Sequence, residues 1–182
     1  MEENFMEESV KKRLILAGLK ELESHGPVDF SLRRVALSAE VSCAAPYRHF
    51  KSREDLIEAI IAYIKEQWLL LCHTIETALP DLERRVRALC VAYMRFWLGN
   101  PNFRAVLFLS DHADALGFAA KLTETLSALT KARKGKMEDA LHLRTTLLTL
   151  VYGSVFLMLR GELPTNAETI EQIAEKIEEA IQ

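Results

Sequence analysis

Apolar residues recur along this chain every three or four positions, and no run alternates apolar with polar for long enough to make a strand. The pattern predicts an all-α protein of about nine helices. Val10, Leu14, Ile15, Leu19 and Leu22 supply the apolar side of a first helix over about Ser9 to Ser24. His25-Gly26-Pro27 then stops it, with glycine in the left-handed position. Ser31 begins a short helix that ends near Ser38, with Phe30 stapled against Val35. Ser42 is the expected N-cap of a third. Ser52 opens a long rod to about Leu79, with Asp55 at the capping-box position and Glu54 beside it favoured by the helix dipole. Leu56, Ile60, Ile64, Trp68, Leu71 and Ile75 form the rod's buried face.

Beyond Pro80 the pattern gives helices over Asp81 to Leu98, from Asn100-Pro101 through Leu109, and over about Asp111 to Lys134 with a break near Gly117. Two more cover Met137 to Arg160 and about Ala167 to Ile181, the last with Ile170, Ile173, Ala174, Ile177 and Ile181 on one stripe and mostly Glu opposite. The expected boundary between a small N-terminal unit, residues 1–55, and a larger helical domain, residues 56–182, lies in the rod rather than at a flexible linker.

The stretch VSCAAPYRHF, from position 41, constrains the third helix. A proline inside a helix loses one hydrogen bond and clashes with the carbonyl four residues back, at about 3 kcal/mol. With Ser42 as N-cap, Pro46 falls at the fourth helical position or one earlier; a very short helix starting there tolerates it, and an earlier start does not.

Composition changes this picture little. The 182 residues are 49% hydrophobic and 27% charged, an ordinary soluble mixture that excludes disorder and collagen-like order. The longest apolar runs, such as Trp68 to Cys72 and Leu147 to Leu159, are too short or too interrupted by Thr, Gly and Ser to span a bilayer, so no membrane partner is expected. The opening MEENFMEESV is acidic where an export signal is basic and then apolar, which points to the cytoplasm. Cys43, Cys72 and Cys90 are odd in number and widely spaced, which argues for free thiols over a disulfide framework or a zinc ribbon. No metal or cofactor is expected.

Charge changes it more. The whole chain carries −3, but between Ser31 and Arg53 five cations, Arg33, Arg34, Arg48, Lys51 and Arg53, face Glu40 alone, a net +4. From Glu162 to Gln182 six acids face Lys176, a net −5. A basic segment near one end of an acidic protein is the pattern of a DNA-binding head on an acidic body.

Two short helices joined by a turn over Ser38 to Val41 and backed by an apolar first helix make a three-helix helix-turn-helix. The second short helix of such a unit enters the major groove. There Ala44 and Ala45 allow close approach and contact with thymine methyls, and Tyr47 and His49 can donate to phosphate or base. Arg48 can pair with guanine or phosphate and Lys51 can neutralise phosphate, whereas Phe50 anchors the helix in the small core. With Ser31, Arg33 and Ser42 these complete the candidate DNA-binding set. Cys43 is a small residue beside the expected cap. The catalytic hints, His73 with Glu76 and Asp111-His112 with Asp114, supply neither a spaced ligand set nor a nucleophile with its base, so no enzyme activity is expected.

The stretch SLRRVALSAEVSCAAPYRHFKSREDL, residues 31–56, resembles the DNA-binding signature of TetR-family transcriptional regulators. The matching elements are Val35-Ala36, Val41-Ser42, Tyr47-x-His49-Phe50, Ser52-Arg53-Glu54 and Leu56. Ala-Ala-Pro-Tyr-Arg-His-Phe is similar to a recognised subgroup, and residues 92–108 and 150–163 look like that subgroup's C-terminal domain. Two departures stand out. Glu40 occupies the place where the family usually has the glycine of the turn, and Tyr152 the place where the subgroup often has His before a glycine.

The resemblance implies a C-terminal domain that binds a small-molecule inducer and dimerises through its last two helices. Leu147 to Leu159 is apolar almost all round and must be covered on more than one side, which supports a partner chain. Leu148, Val151, Val155, Leu159, Ile170, Ile173 and Ile177 are the expected interface of a homodimer that reads a palindromic operator. For the pocket the available side chains are Trp68, Cys72, Tyr93, Phe96, Trp97, Phe103, Phe108, Phe118, Tyr152 and Phe156. The sparse polar groups among them, Tyr93, His112, Thr149 and Tyr152, point to a mostly apolar inducer. The expected function is a ligand-responsive repressor released from double-stranded DNA by that inducer. The alternative is a helical small-molecule-binding protein without specific operator binding.

Overall fold

The computed structural model describes residues 2–100, 103 and 117–182. Eight helices and no strand occur among them: α1 Glu2–His25, α2 Leu32–Ser38, α3 Ala45–His49, α4 Arg53–Ala78, α5 Leu82–Gly99, α6 Phe118–Ala132, α7 Met137–Leu159 and α8 Ala167–Ile181. That is one helix fewer than expected; the short helix through Leu109 falls on residues of which only Phe103 is described. Contacts divide the chain inside α4, further along the rod than its opening turn. One unit holds the described residues up to Gln67 together with Phe103, and the other holds Trp68 to Asn100 and the described residues from Gly117 on.

In the first unit, Leu14, Leu19 and Leu22 of α1, Phe30, Val35 of α2, Phe50, and Leu56, Ile60 and Ile64 of α4 are all buried. Phe30 and Val35 thus occupy the core as the staple predicts. Gly18 has its reason here: a Cβ on it would lie 2.7 Å from Ile60 Cδ1, so the absence of a side chain lets α1 and α4 approach. The α4 start follows the sequence, since Ser52 Oγ accepts from Asp55 N–H at 3.1 Å, while the Asp55 carboxylate accepts from Lys51 N–H at 2.8 Å.

The same unit contains a buried carboxylate that periodicity had not singled out. Glu21 is 7% exposed and lies a heptad after Leu14 on the same side of α1. It accepts from Arg34 Nε at 2.8 Å and from Ser31 N–H at 3.1 Å, and His25 Nδ1 lies 3.2 Å away. The end of α1 is thereby tied to the first turn of α2. Burial pushes the Glu21 carboxyl up, but the bonds from Arg34 and Ser31 and the charges of Arg34 and His25 outweigh it and hold the group below its ordinary value of 4.5. A carboxylate with a depressed folded-state pKa adds stability above its unfolded pKa and loses it as pH falls through the folded one. The head's denaturant midpoint is therefore expected to decline with acid below about pH 4.5, where this carboxyl protonates in the unfolded chain before it does in the folded one. Glu21→Gln should flatten that decline, as read from midpoints taken at a series of pH values.

In the second unit, α7 packs on α5, α6 and α8, and α8 packs on α5. Asp81 Oδ1 accepts from Arg84 N–H at 2.8 Å to cap α5, and Asn166 Oδ1 accepts from Thr169 N–H at 2.9 Å to cap α8. The helix stop after α7 comes from Gly161 at φ 75°, with Glu162 N–H donating to Leu157 O at 2.9 Å and Gly161 N–H to Met158 O at 3.1 Å, a Schellman closure. Gly117, also left-handed, caps α6 and marks the predicted break.

Candidate nucleic-acid interface and ligand-binding body

The head is built on α2, a turn and α3. Ser31 caps α2 as expected, its Oγ accepting from Arg34 N–H at 3.4 Å. The turn closes as a Schellman motif, Val41 N–H donating to Ala36 O at 3.0 Å and Glu40 N–H to Leu37 O at 3.1 Å. Its left-handed residue is Glu40, φ 55°, in the place where glycine carries no steric cost. Arg13 of α1 braces this turn: its guanidinium donates to Ala39 O and, at 3.1 Å, to Glu40 O. Nothing in the apolar periodicity singles out Arg13, because its role is defined by backbone carbonyls. Glu40→Gly is expected to raise the head's stability by about 1 kcal/mol, seen as a shift of the denaturant midpoint, and to tighten DNA binding by removing the one acid in the basic stretch.

The start of α3 corrects the expected cap. Ala44, φ −83° and ψ −17°, is the N-cap and Pro46 the second helical residue; Ser42 makes no cap. Instead Ser42 O accepts from Ala45 N–H at 2.9 Å in a turn ahead of the helix. Two magnitudes decide this. A serine cap contributes about 1 kcal/mol, whereas proline at the fourth position costs about 3 kcal/mol. As second residue Pro46 loses nothing, because that N–H has no partner in any helix. Cys43 is exposed and lies ahead of the cap.

Along α3, Tyr47 is 66% exposed, Ala44 and Arg48 are exposed and His49 is half-buried, its ring 6.3 Å from that of Phe50. Ala45 and Phe50 are buried, so Ala45 packs inward rather than offering its methyl to a base. The five cations also divide. Arg34 is taken by Glu21, and Arg53 donates to Val28 O at 3.1 Å and to Glu54. Arg33, Arg48 and Lys51 are exposed, with no side-chain bond to another described residue.

In the second unit most of the described pocket candidates converge. Trp68 meets Tyr93 at 5.5 Å, Phe96 at 5.6 Å and Phe118 at 5.9 Å between ring centroids. Tyr93 stacks on Phe118 at 4.1 Å, and Tyr152 joins Tyr93 at 5.5 Å and Phe118 at 5.8 Å. Trp97 lies 6.1 Å from Tyr93 and 6.0 Å from Phe96. Cys72 is buried, and burial pushes its thiol up to about 12, as it does that of Cys90. Phe103 groups with the first unit instead, and Phe156 points outward at 44% exposed under the Arg160 guanidinium. Phe108 and His112 lie outside the described residues. Glu76 is engaged by Lys121 at 2.5 Å, and no group of three or more metal-ligating side chains occurs among the described residues. A cavity of about 220 Å³ that the sequence did not suggest lies between α6 and α7, lined by Leu126, Met137, Ala140, Leu141, Thr123 and Arg144 among others.

Residues 14–60 match the family model for bacterial regulatory proteins of the tetR family, and residues 86–181, over half the chain, match that for the tetracyclin repressor-like C-terminal domain. The chain belongs to the TetR family. It is a TetR-family transcription regulator, with its helix-turn-helix in the first match and its ligand-binding domain in the second. No curated protein matches the sequence. Among solved structures, a TetR family transcription regulator from Marinobacter aquaeolei VT8 superposes with a TM-score of 0.74 at 19% identity, covering 99% of this chain and 98% of that one. A TetR transcription regulator from Haloarcula marismortui gives 0.74 at 20% identity, with 96% and 97% covered. The transcriptional regulator FadR from Bacillus subtilis, solved in complex with stearoyl-CoA, gives 0.74 at 14% identity, with 93% and 96% covered. At these identities the likeness concerns the fold.

The TetR body differs from expectation at its far face. Val151, Val155, Ile170, Ile173 and Ile177 are already buried within the single chain, and Leu148 and Leu159 are half-buried. The α8 stripe packs on α5 and α7, because Ile at these spacings must be covered before any partner arrives. The outward face of α7 instead carries Leu141 at 60% exposed, Thr145, Thr149 and Phe156. α7 is also long and apolar enough to cross a membrane by length and composition, with a mean hydropathy of 1.3, a test that the core helix of a helical domain passes as well. It packs on α5, α6 and α8 along one side, and 28% of its apolar window is buried by its own chain.

Proposed function

We propose that this regulator is a repressor that binds a palindromic operator as a homodimer and is released by a small, mostly apolar inducer. We further assign it to the subgroup whose recognition helix reads Ala-Ala-Pro-Tyr-Arg-His-Phe, acting in the cytoplasm. The observation that carries the DNA reading is the exposed set Arg33, Tyr47, Arg48 and Lys51 around a braced helix-turn-helix. The outward α7 face, apolar and left uncovered by its own chain, supports a second copy docking there, which supplies the two-fold symmetry of the operator. The aromatic cluster supports an apolar ligand, and a protein of this fold that holds stearoyl-CoA is consistent with one. Helix α4 is the element through which ligand and DNA sites communicate, since its first part belongs to the head and its second to the body.

The test is a mobility-shift titration on the DNA upstream of its own gene. Three unengaged cations per head give about six phosphate contacts per dimer, so log K is expected to fall against log salt with a slope of about −5. Salt-insensitive or absent binding would instead favour a ligand-binding protein that reads no operator.

A further inference from the structure

We infer that the ligand of the body is a neutral apolar molecule carrying a hydrogen-bond acceptor, such as a ketone or ester oxygen, received by the indole N–H groups of Trp68 and Trp97. This rests on the ligand-responsive reading above and narrows it to a chemical class. Trp68 is 0% and Trp97 2% exposed, and neither indole nitrogen has a hydrogen-bond partner. Buried tryptophan N–H groups normally find one. An indole nitrogen donates and never accepts, so the missing partner on both is an acceptor.

The two indoles belong to one aromatic cluster. Both indoles border the same pair of rings, Tyr93 and Phe96, with all four centroid separations between 5.5 and 6.1 Å. One other buried polar side-chain atom without a hydrogen bond occurs among the described residues, Arg87 Nε, and its charge is answered by Glu178 at 3.4 Å. The two unanswered donors therefore fall where the second unit gathers its aromatic surface.

The charged groups next to Cys72 favour a neutral head over an anionic one. The cation felt by the Cys72 thiol, one turn along α4 from Trp68, is Lys121. That ammonium is held by Glu76 at 2.5 Å and by Glu124 at 3.0 Å, two carboxylates for one positive charge. A carboxylate or phosphate brought beside it would find that ammonium already engaged by two carboxylates. A cationic head is disfavoured as well, because two indole N–H donors present the positive end of their dipoles to it.

Trp68 and Trp97 are the two tryptophans of the chain, so its indole emission reports this site alone. The full-length protein is titrated with methyl octanoate, octanoate and decane, which share an alkyl chain and differ in the head. The wild type is expected to bind methyl octanoate at least about tenfold more tightly than either of the others, as one to two buried hydrogen bonds allow. Trp68→Phe and Trp97→Phe keep an apolar ring, remove one donor each, and leave the other tryptophan to report. Each should weaken methyl octanoate about three- to tenfold and leave decane unchanged. The wild-type comparison needs no variant to fold, and circular dichroism checks the helix content of both. Decane binding as tightly as the ester, octanoate binding more tightly, or folded variants with unaltered ester affinity would overturn the acceptor class while leaving a ligand-binding body in place. No response to any of the three in emission or in a thermal melt would overturn the ligand-binding reading itself.

Discussion

Replacing Tyr47 and Arg48 together by alanine is expected to weaken operator binding by about a hundredfold or more while leaving the melting curve where it was. Each side chain that reaches a base edge contributes about 1–3 kcal/mol, and a phosphate contact adds to affinity at every sequence. Tyr47 is 66% exposed, and Arg48 is exposed without a side-chain bond to any described residue. Substitutions at such positions shift stability by about 0.5 kcal/mol or less. His49 is a poorer probe. It is half-buried with its ring 6.3 Å from Phe50, so its removal disturbs packing and DNA contact together. Mobility shift and thermal denaturation on the same preparation separate the two effects. Full operator affinity in the double variant would move the reading surface away from α3.

The second large effect separates the core of the body from its docking face. Ile177→Asp is expected to unfold the second unit, lowering its stability by about 5 kcal/mol or more, because Ile177 is 0% exposed. A carboxylate there is taken out of water, and the apolar contacts of the isoleucine are lost as well. Phe156→Glu, at a position 44% exposed, should instead leave a folded chain that sediments as a monomer and loses operator affinity. Sedimentation with circular dichroism distinguishes the outcomes. A folded monomer from Ile177→Asp would return the interface to the α8 stripe, and a dimer unaffected by Phe156→Glu would remove it from the outer face of α7.

Much of this was legible in the chain because the signals are local. The caps at Ser31 and Ser52 accept from N–H groups three residues on, so four consecutive residues specify each. The stops at Gly26 and Gly161 need a left-handed residue that glycine supplies without strain. The aromatic cluster was legible as a set of residues, because buried rings at helical spacing must find one another. Which of them would be left out was not. Phe156 lies one turn beyond Tyr152 on α7 and yet points outward.

What the sequence did not carry lies in groups whose partners are distant in the chain. Arg13 meets Ala39 and Glu40, and Glu21 meets Ser31 and Arg34, through bonds that exist only once α1 lies against the turn. The same contacts consume Arg34, and so change which of the basic residues stand free for phosphate. The cap of α3 moved for a local reason that was in hand, since a proline preference of about 3 kcal/mol outweighs a serine preference of about 1 kcal/mol.

By itself the sequence determined most of the helices, the caps at Ser31 and Ser52, the basic head and the family, because each depends on neighbours within a few residues or on a spaced motif. Only the tertiary structure decided which apolar stripe is core and which stays exposed on the single chain, because periodicity says that a face must be covered and not by what. VSCAAPYRHF shows the division within ten residues. Its proline limits where α3 can start, while the packing of α1 and α2 against α3 turns Ala45 inward and leaves Tyr47 and Arg48 to face outward.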